Sequence, residues 1–252
     1  MEVVLETKKF LDILNVARLA RERDAAQLMF EKSGIHVNVR NPANTLGCYA
    51  EFRESYFKTY SIDEEFAISI PMHKFLKMLK HISASEISID VKEDKIVVND
   101  GELEAPLLQY DPNVCIPQGL KLVETEFGSV IVSDDTVVEH YNFSRIQIPK
   151  QINLLGVEDV AFTVKNKTLL MCQEDDIGHK IRNVLSSMMD KYVNDVEVKI
   201  NATLLKTAFD TLISGECYIA IGTNHEKPLL IQLCDNANDY IVTVAAAPKI
   251  DE

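Results

Sequence analysis

Apolar residues first recur at every second position in Phe66, Ile68 and Ile70, the spacing of a half-buried strand. After Pro71 the spacing changes to three and four, with Phe75, Leu76 and Leu79 on one helical face. Ile82-Ser83 then leads into another alternating run. The same succession returns later: Val196, Val198 and Ile200 alternate, Leu204, Leu205, Ala208, Phe209 and Leu212 follow helical spacing, and Ile213-Ser214-Gly215 precedes a further strand. A second pair of patterns keeps the same order. DAAQLMFEKSGIHVNV (Asp24 to Val39) reads as a hairpin turning at Lys-Ser-Gly, and DVAFTVKNKTLLMCQE (Asp159 to Glu174) as one turning at Lys165-Asn166-Lys167. One alternating strand is common in any α/β protein. Two patterns recurring in order, about 130–134 positions apart, predict a duplicated unit.

The first unit opens with a helical pattern over Lys8 to Arg23, its apolar positions including Phe10, Ile13, Leu14, Ala17 and Ala20. Its counterpart in the second half is fainter. Ser133-Asp134-Asp135 has the form of an N-cap with an acidic first turn, which predicts a helix through Val137, Val138 and Tyr141 that stops before Pro149. The stretch IPKQINLLG after it fits no element. Between the units, Pro112 and Pro117 keep LLQYDPNVCIPQGL out of helix interiors and central strands, so it reads as an extended connector. The expected architecture is α+β: two similar domains of helices packed on antiparallel sheets, over residues 1–106 and 121–252, joined by a connector at 107–120.

Charge complicates this picture. The 252 residues carry 26 Lys+Arg against 39 Asp+Glu, a net charge of −13, which by itself argues against a nucleic-acid partner. Net charge does not say where charges lie. The helix after Pro71 carries His73, Lys74, Lys77, Lys80 and His81 and no acidic residue. The first helix adds Lys8, Lys9, Arg18, Arg21 and Arg23, interrupted by Asp12 and Glu22. In the second unit the signal thins to Arg145, Lys150, Lys206 and His140. Charged helix faces are usually just solvated. An all-basic one in so acidic a chain points to phosphate contact without base reading.

Chemistry is poorly marked. There is no G-x-G-x-x-G, P-loop, G-x-S-x-G or H-E-x-x-H pattern, and an acidic turn at Glu174-Asp175-Asp176 reads as solvated rather than metal-binding. No cofactor is expected. The five cysteines are dispersed without a C-x-x-C pair, consistent with reduced thiols in an intracellular protein. The start MEVVLETKKF lacks the charge and apolar regions of a signal peptide, and no apolar run reaches the ~20 residues of a membrane span.

These residues resemble a known family, the DNA polymerase sliding clamps of the proliferating cell nuclear antigen type, and more distantly the clamps of tailed phages. The likeness runs through SGIHVNVRNPANTLGCYAEF, through SYFKTYSIDEEFAISIPMHKFLKMLK, through the connector LLQYDPNVCIP and through the tail VAAAPKIDE. It implies a non-enzymatic processivity factor: three copies closing into a ring around duplex DNA, helices lining the hole and sheets outside. Lys8, Lys9, Arg18, Arg21, Lys74, Lys77, Lys80, Arg145, Lys150 and Lys206 would then face the phosphates. DNA polymerase, a clamp loader and other replication or repair proteins would insert short apolar-aromatic motifs beneath the connector. That pocket corresponds to Arg40, Thr45, Gly47, Val114, Ile116, Pro228, Ala246, Ala247 and Pro248. Here the chain departs from the family, since Arg40, Thr45 and Gly47 replace larger apolar residues and Asn41 an acidic one. The departures indicate a divergent clamp, archaeal or viral.

Ring closure in such a family pairs the last strand of the first domain with a strand of the next subunit's second domain. Those are GELEAPLL (Gly101 to Leu108) and GHKIRNVL (Gly178 to Leu185), where Glu102 and Glu104 would either meet Lys180 and Arg182 across the contact or simply face solvent. Two other readings stay open at this point. One is a clamp-fold accessory protein, in a hetero-oligomer or in a transcription or checkpoint role. The other is an α+β enzyme or small-molecule binding protein.

Overall fold

The computed structural model describes residues 1–17, 25–41, 43, 45–92, 95–102, 104–108, 120–125, 128–133, 140–147, 149, 152–186, 195–210, 216–222, 227–234 and 239–249. The first half runs β1 (Glu2–Glu6), α1 (Thr7–Val16), β2 (Ala25–Glu31), β3 (Gly34–Arg40), β4 (Leu46–Arg53), β5 (Thr59–Ser61), β6 (Phe66–Pro71), α2 (Met72–Leu79), β7 (Glu86–Lys92), β8 (Lys95–Asn99) and β9 (Glu104–Leu108). A hairpin of β10 (Leu120–Thr125) and β11 (Gly128–Ser133) stands between the halves. The second half runs β12 (Tyr141–Gln147), β13 (Asp159–Lys165), β14 (Thr168–Glu174), β15 (Lys180–Ser186), β16 (Val196–Asn201), α3 (Ala202–Asp210), β17 (Glu216–Gly222), β18 (Leu229–Cys234) and β19 (Tyr240–Ala246).

Sheet order makes the duplication explicit. The first half orders its strands β1-β7-β8-β9, with β5 beside β1, and β4-β3-β2-β6; the second orders them β12-β17-β18-β19 and β15-β14-β13-β16. These are the same two sheets drawn twice, with every pairing antiparallel. The halves join because β19 pairs with β4 along its whole length, Tyr240 opposite Phe52 and Ala246 opposite Leu46, fusing two of the sheets into one of eight strands.

Local chemistry explains the turns. Asn166 and Lys167, at φ 49° and 63°, give β13 and β14 the two-residue turn whose twist suits a hairpin. Gly34 opens β3 at φ +143°, and a Cβ there would lie 1.9 Å from the Phe52 carbonyl oxygen, so only glycine fits. At the start of α3, Asn201 Oδ1 accepts from the backbone N–H of Thr203 at 3.0 Å and of Leu204 at 3.3 Å, an N-cap. One core unites the inner faces of the sheets with the helix stripes: Phe10, Ile13 and Leu14 of α1, Met72, Phe75 and Leu79 of α2, and Leu205, Ala208 and Phe209 of α3. Each such large side chain contributes roughly 1.5–3 kcal/mol by leaving water. The opposite face of the eight-stranded sheet has its own small cluster, Tyr141, Phe143, Ala220 and Leu230 packed beneath Val132 of the hairpin.

One expected helix is contradicted over its later part, residues 134–139 lying outside the described residues. Tyr141 lies in strand β12 rather than in a helix. The capping pattern at Ser133-Asp134-Asp135 is a local signal, while β12 is held by pairing with β17, Tyr141 opposite Gly222 through Gln147 opposite Glu216. Long-range pairing outweighs local preference here. Cys48 and Cys217 are buried and Cys172 is half-buried; burial pushes the Cys48 thiol well above its ordinary range.

Candidate functional site

Three surfaces gather the residues singled out above. The first is the helix layer. α1 and α2 lie side by side, the rings of Phe10 and Phe75 meeting edge-to-face at 6.0 Å. Burying Met72, Phe75 and Leu79 turns Lys74, Lys77 and Lys80 outward, where all three are exposed, and α1 adds exposed Lys8. Lys77 in the last turn of α2 also suits the negative end of the helix dipole. Lys9 is engaged differently: its ammonium donates to the Tyr56 carbonyl at 2.7 Å and stands 4.5 Å over the Tyr56 ring. The Tyr56 hydroxyl in turn donates to Asp12 at 3.3 Å. Burial raises the Asp12 carboxyl above its ordinary value, partly offset by Tyr56, Lys8 and Lys9.

In the second half, Lys206 is exposed on α3. Arg145 is not on that layer. It shares a face of β12 with Tyr141 and Phe143, the face under the hairpin and away from the helices. Its assignment to a helix-lined surface rested on a helix that is a strand. Arg18, Arg21 and Lys150 lie outside the described residues.

The second surface is a pair of sheet edges. β9 ends one sheet and β15 ends another. β4, the counterpart of β15 in the first half, is buried at every residue except Arg53, because β19 covers it. β15 has no such cover: Lys180 and Arg182 are exposed and Val184 is 65% exposed. Lys180 reaches back to Glu174 at 2.8 Å. On β9, Glu104 is exposed, as is Glu102 just before it.

The third surface surrounds the β3–β4 turn and the C-terminal tail. Asn41 is buried, and its Oδ1 accepts from the N–H of Thr45 at 2.9 Å and of Leu46 at 3.0 Å while its Nδ2 donates to Thr45 Oγ1 at 2.9 Å. The asparagine thus builds the turn. The Ala247 N–H donates to the Thr45 carbonyl at 2.8 Å, and Lys249 clasps Asp159 at 2.6 Å, which holds the tail across both halves. Arg40 donates from Nη2 to the Tyr49 hydroxyl at 2.8 Å, while its Nε is buried without a partner. A side chain at Gly47 would press on Tyr49 at 3.1 Å. Pro228, next to the Leu229 that pairs with Ala246, is half-buried, as are Ala247 and Pro248, but Ala246 points into the main core. Its neighbour Ala245 takes the outer face, against Tyr49 and Ile241. Strand alternation from Tyr240 was enough to separate these two alanines; Tyr49 carried no signal. Val114 and Ile116 lie outside the described residues.

Two repeats, each a pair of antiparallel sheets with its helices on one layer, define a DNA clamp fold of the proliferating cell nuclear antigen type. Among solved structures, the Archaeoglobus fulgidus PCNA bound to the C-terminal region of FEN-1 matches at a TM-score of 0.78 and 17% identity, over 100% of this chain and 99% of that one. Among curated proteins, the DNA polymerase sliding clamp of Archaeoglobus fulgidus is 28% identical over 111 residues, 43% of this chain and 45% of that protein. A probable DNA polymerase sliding clamp 2 of Paramecium bursaria Chlorella virus 1 is 23% identical over 184 residues, 72% of this chain and 62% of the viral protein. The matched stretches thus span less than two thirds of either relative. No protein-family model matches the chain. No helix among the described residues is long and apolar enough to cross a membrane.

Proposed function

We propose that this chain is one subunit of a ring-shaped DNA sliding clamp, a processivity factor that tethers polymerases and other replication or repair proteins to duplex DNA and performs no chemistry itself. The observation that carries this reading is the β19–β4 junction. It joins the halves edge to edge and leaves β9 and β15, the symmetry-equivalent edges, open. Repeating the junction between chains is a head-to-tail contact, and such contacts either close into a ring or run on as a filament. Closure is the outcome in accord with the clamp relatives, and three copies would be the number the family resemblance implies.

In that ring the α1 and α2 lysines line the hole and the acidic excess lies outside. Topological linkage lets weak phosphate contacts suffice, so the ring slides. Partners bound at the Arg40–Ala247 region gain effective concentration at the primer end. The setting is inside a cell, where DNA is copied.

The test is retention on circular DNA. With its loader and cognate polymerase, the protein stays bound to a nicked circular plasmid through high salt, leaves when one restriction cut linearises it, and lengthens primer-extension products. Loss from circular and linear DNA alike, with no change in product length, defeats the reading.

A further inference from the structure

We infer that the helix layer of the ring is lopsided: the first repeat supplies most of the contact to duplex DNA, and the second repeat has only a short connection where the first has α1. This rests on the clamp reading above and specifies which part of each subunit holds the duplex.

Chain length argues first. Between β1 and β2 the chain has residues 7–24, enough for α1 and its exit. Between β12 and β13 it has only residues 148–158. A ten-residue helix like α1 is about 15 Å long and needs linkers at both ends. The described part of the shorter connection, 152–158, is irregular instead. It is also firmly held. Gln173, 2% exposed, accepts from the N–H groups of Leu154 at 2.8 Å and Leu155 at 3.2 Å, and donates to the Ile152 carbonyl at 2.9 Å. Asn153 Nδ2 donates to the Val157 carbonyl at 2.6 Å, and its Oδ1 accepts from the Val157 N–H at 2.9 Å. Among the described residues of that connection there is no helix, and Leu154 is 48% exposed.

Charge argues independently. α2 follows Pro71 at the end of β6, and α3 follows Asn201 at the end of β16, so the two helices align residue by residue. Lys74, Lys77 and Lys80 then correspond to Leu204, Thr207 and Asp210. Every lysine of α2 is replaced by an uncharged or acidic residue on α3. The one cation of α3, Lys206, occupies the position of half-buried Leu76, to the side of the α2 lysine face. In the 152–158 loop the only ionisable residue is Glu158, which pairs with Lys249 at 3.6 Å.

A duplex in the hole would therefore meet three exposed lysines on α2 of each subunit, and on the described part of the second repeat's helix layer only Lys206; Lys150 lies outside the described residues. Each lysine that reaches a phosphate displaces condensed counterions, so its share can be read from salt dependence.

The experiment uses the assembled protein and a short linear duplex, with binding followed by fluorescence anisotropy between about 50 and 200 mM salt. Assembly is checked by mass for each variant; all the substituted side chains are exposed. Lys74→Ala with Lys77→Ala and Lys80→Ala should flatten the slope of log K against log salt by about one for every lysine in contact. Lys206→Ala should leave the slope within error. The inference is overturned if Lys206→Ala flattens the slope as much as the triple variant, or if the triple variant leaves it unchanged. Failure of the wild-type ring to stay on circular DNA would instead defeat the clamp reading itself.

Discussion

Reversing Arg182 to glutamate should weaken assembly, and reversing Glu104 to arginine in the same chain should restore it. The internal junction supplies the register. Equivalent turns and pairings in the two halves align Tyr49 with Arg182 and Thr243 with Glu104. Tyr49 and Thr243 are cross-strand partners within the chain. If the junction repeats between chains, Glu104 would stand opposite Arg182, with Glu102 diagonal to Arg182 and Lys180 diagonal to Glu104. An opposite-charge cross-strand pair contributes about 0.2–1 kcal/mol, and like charges cost a similar amount. Because Lys180 already pairs with Glu174 in its own sheet, Arg182 carries the larger share. Taking about 1 kcal/mol for the reversal at each contact, a three-membered ring loses about 3 kcal/mol. That loss is divided between two subunit additions, so the half-assembly concentration rises about tenfold at low salt. Added salt shrinks the effect. A dilution series in the analytical ultracentrifuge reads it directly. The register is refuted if Arg182→Glu assembles like the parent, or if the swapped pair assembles no better than the single reversal.

Three other expectations follow from named atoms. Asn142 is 1% exposed and neither its Nδ2 nor its Oδ1 has a hydrogen-bond partner, so Asn142→Leu, close in shape, should raise stability by about 1–3 kcal/mol; an unchanged or lower urea midpoint would contradict this. Arg40→Met removes a buried donor without an acceptor and gives the proposed motif pocket an apolar floor; calorimetry with an apolar-aromatic motif peptide should show binding tighter by about 1–2 kcal/mol, and equal affinity would place the peptide elsewhere. The hydrogen bond to Asp159 raises the Lys249 pKa, so its contribution is complete below the ordinary lysine range and is lost as pH climbs through the raised value. Amide exchange at Ala246, Ala247 and Lys249, corrected for intrinsic rate, should therefore accelerate at strongly alkaline pH in the parent but show no such step at 246 and 247 in Lys249→Met.

The repeats were legible because burial on one face imposes period two on Val160, Phe162 and Val164 and period three to four on α2. The all-basic face of α2 was legible for the same reason, since its apolar stripe dictates where the lysines point. The second half's opening was not. The Ser133-Asp134-Asp135 cap is local, whereas the strand at Tyr141–Gln147 depends on β17, some seventy residues away in sequence. Arg145 followed that error onto the wrong face. Lys9 reads in sequence like any solvated lysine, and only the fold brings Tyr56 beneath it. The alternating charges of Glu102 and Glu104 and of Lys180 and Arg182 were visible in the sequence, whereas the register proposed for them rests on the β19–β4 junction, which no local pattern encodes.

The central claim is ring closure by a repeat of that junction, and native mass at low concentration tests it most directly. The account predicts a single species of three times the 28.4 kDa chain, with Arg182→Glu shifting it toward monomer. A protein that stays monomeric at every concentration, or that extends into open filaments, would contradict it.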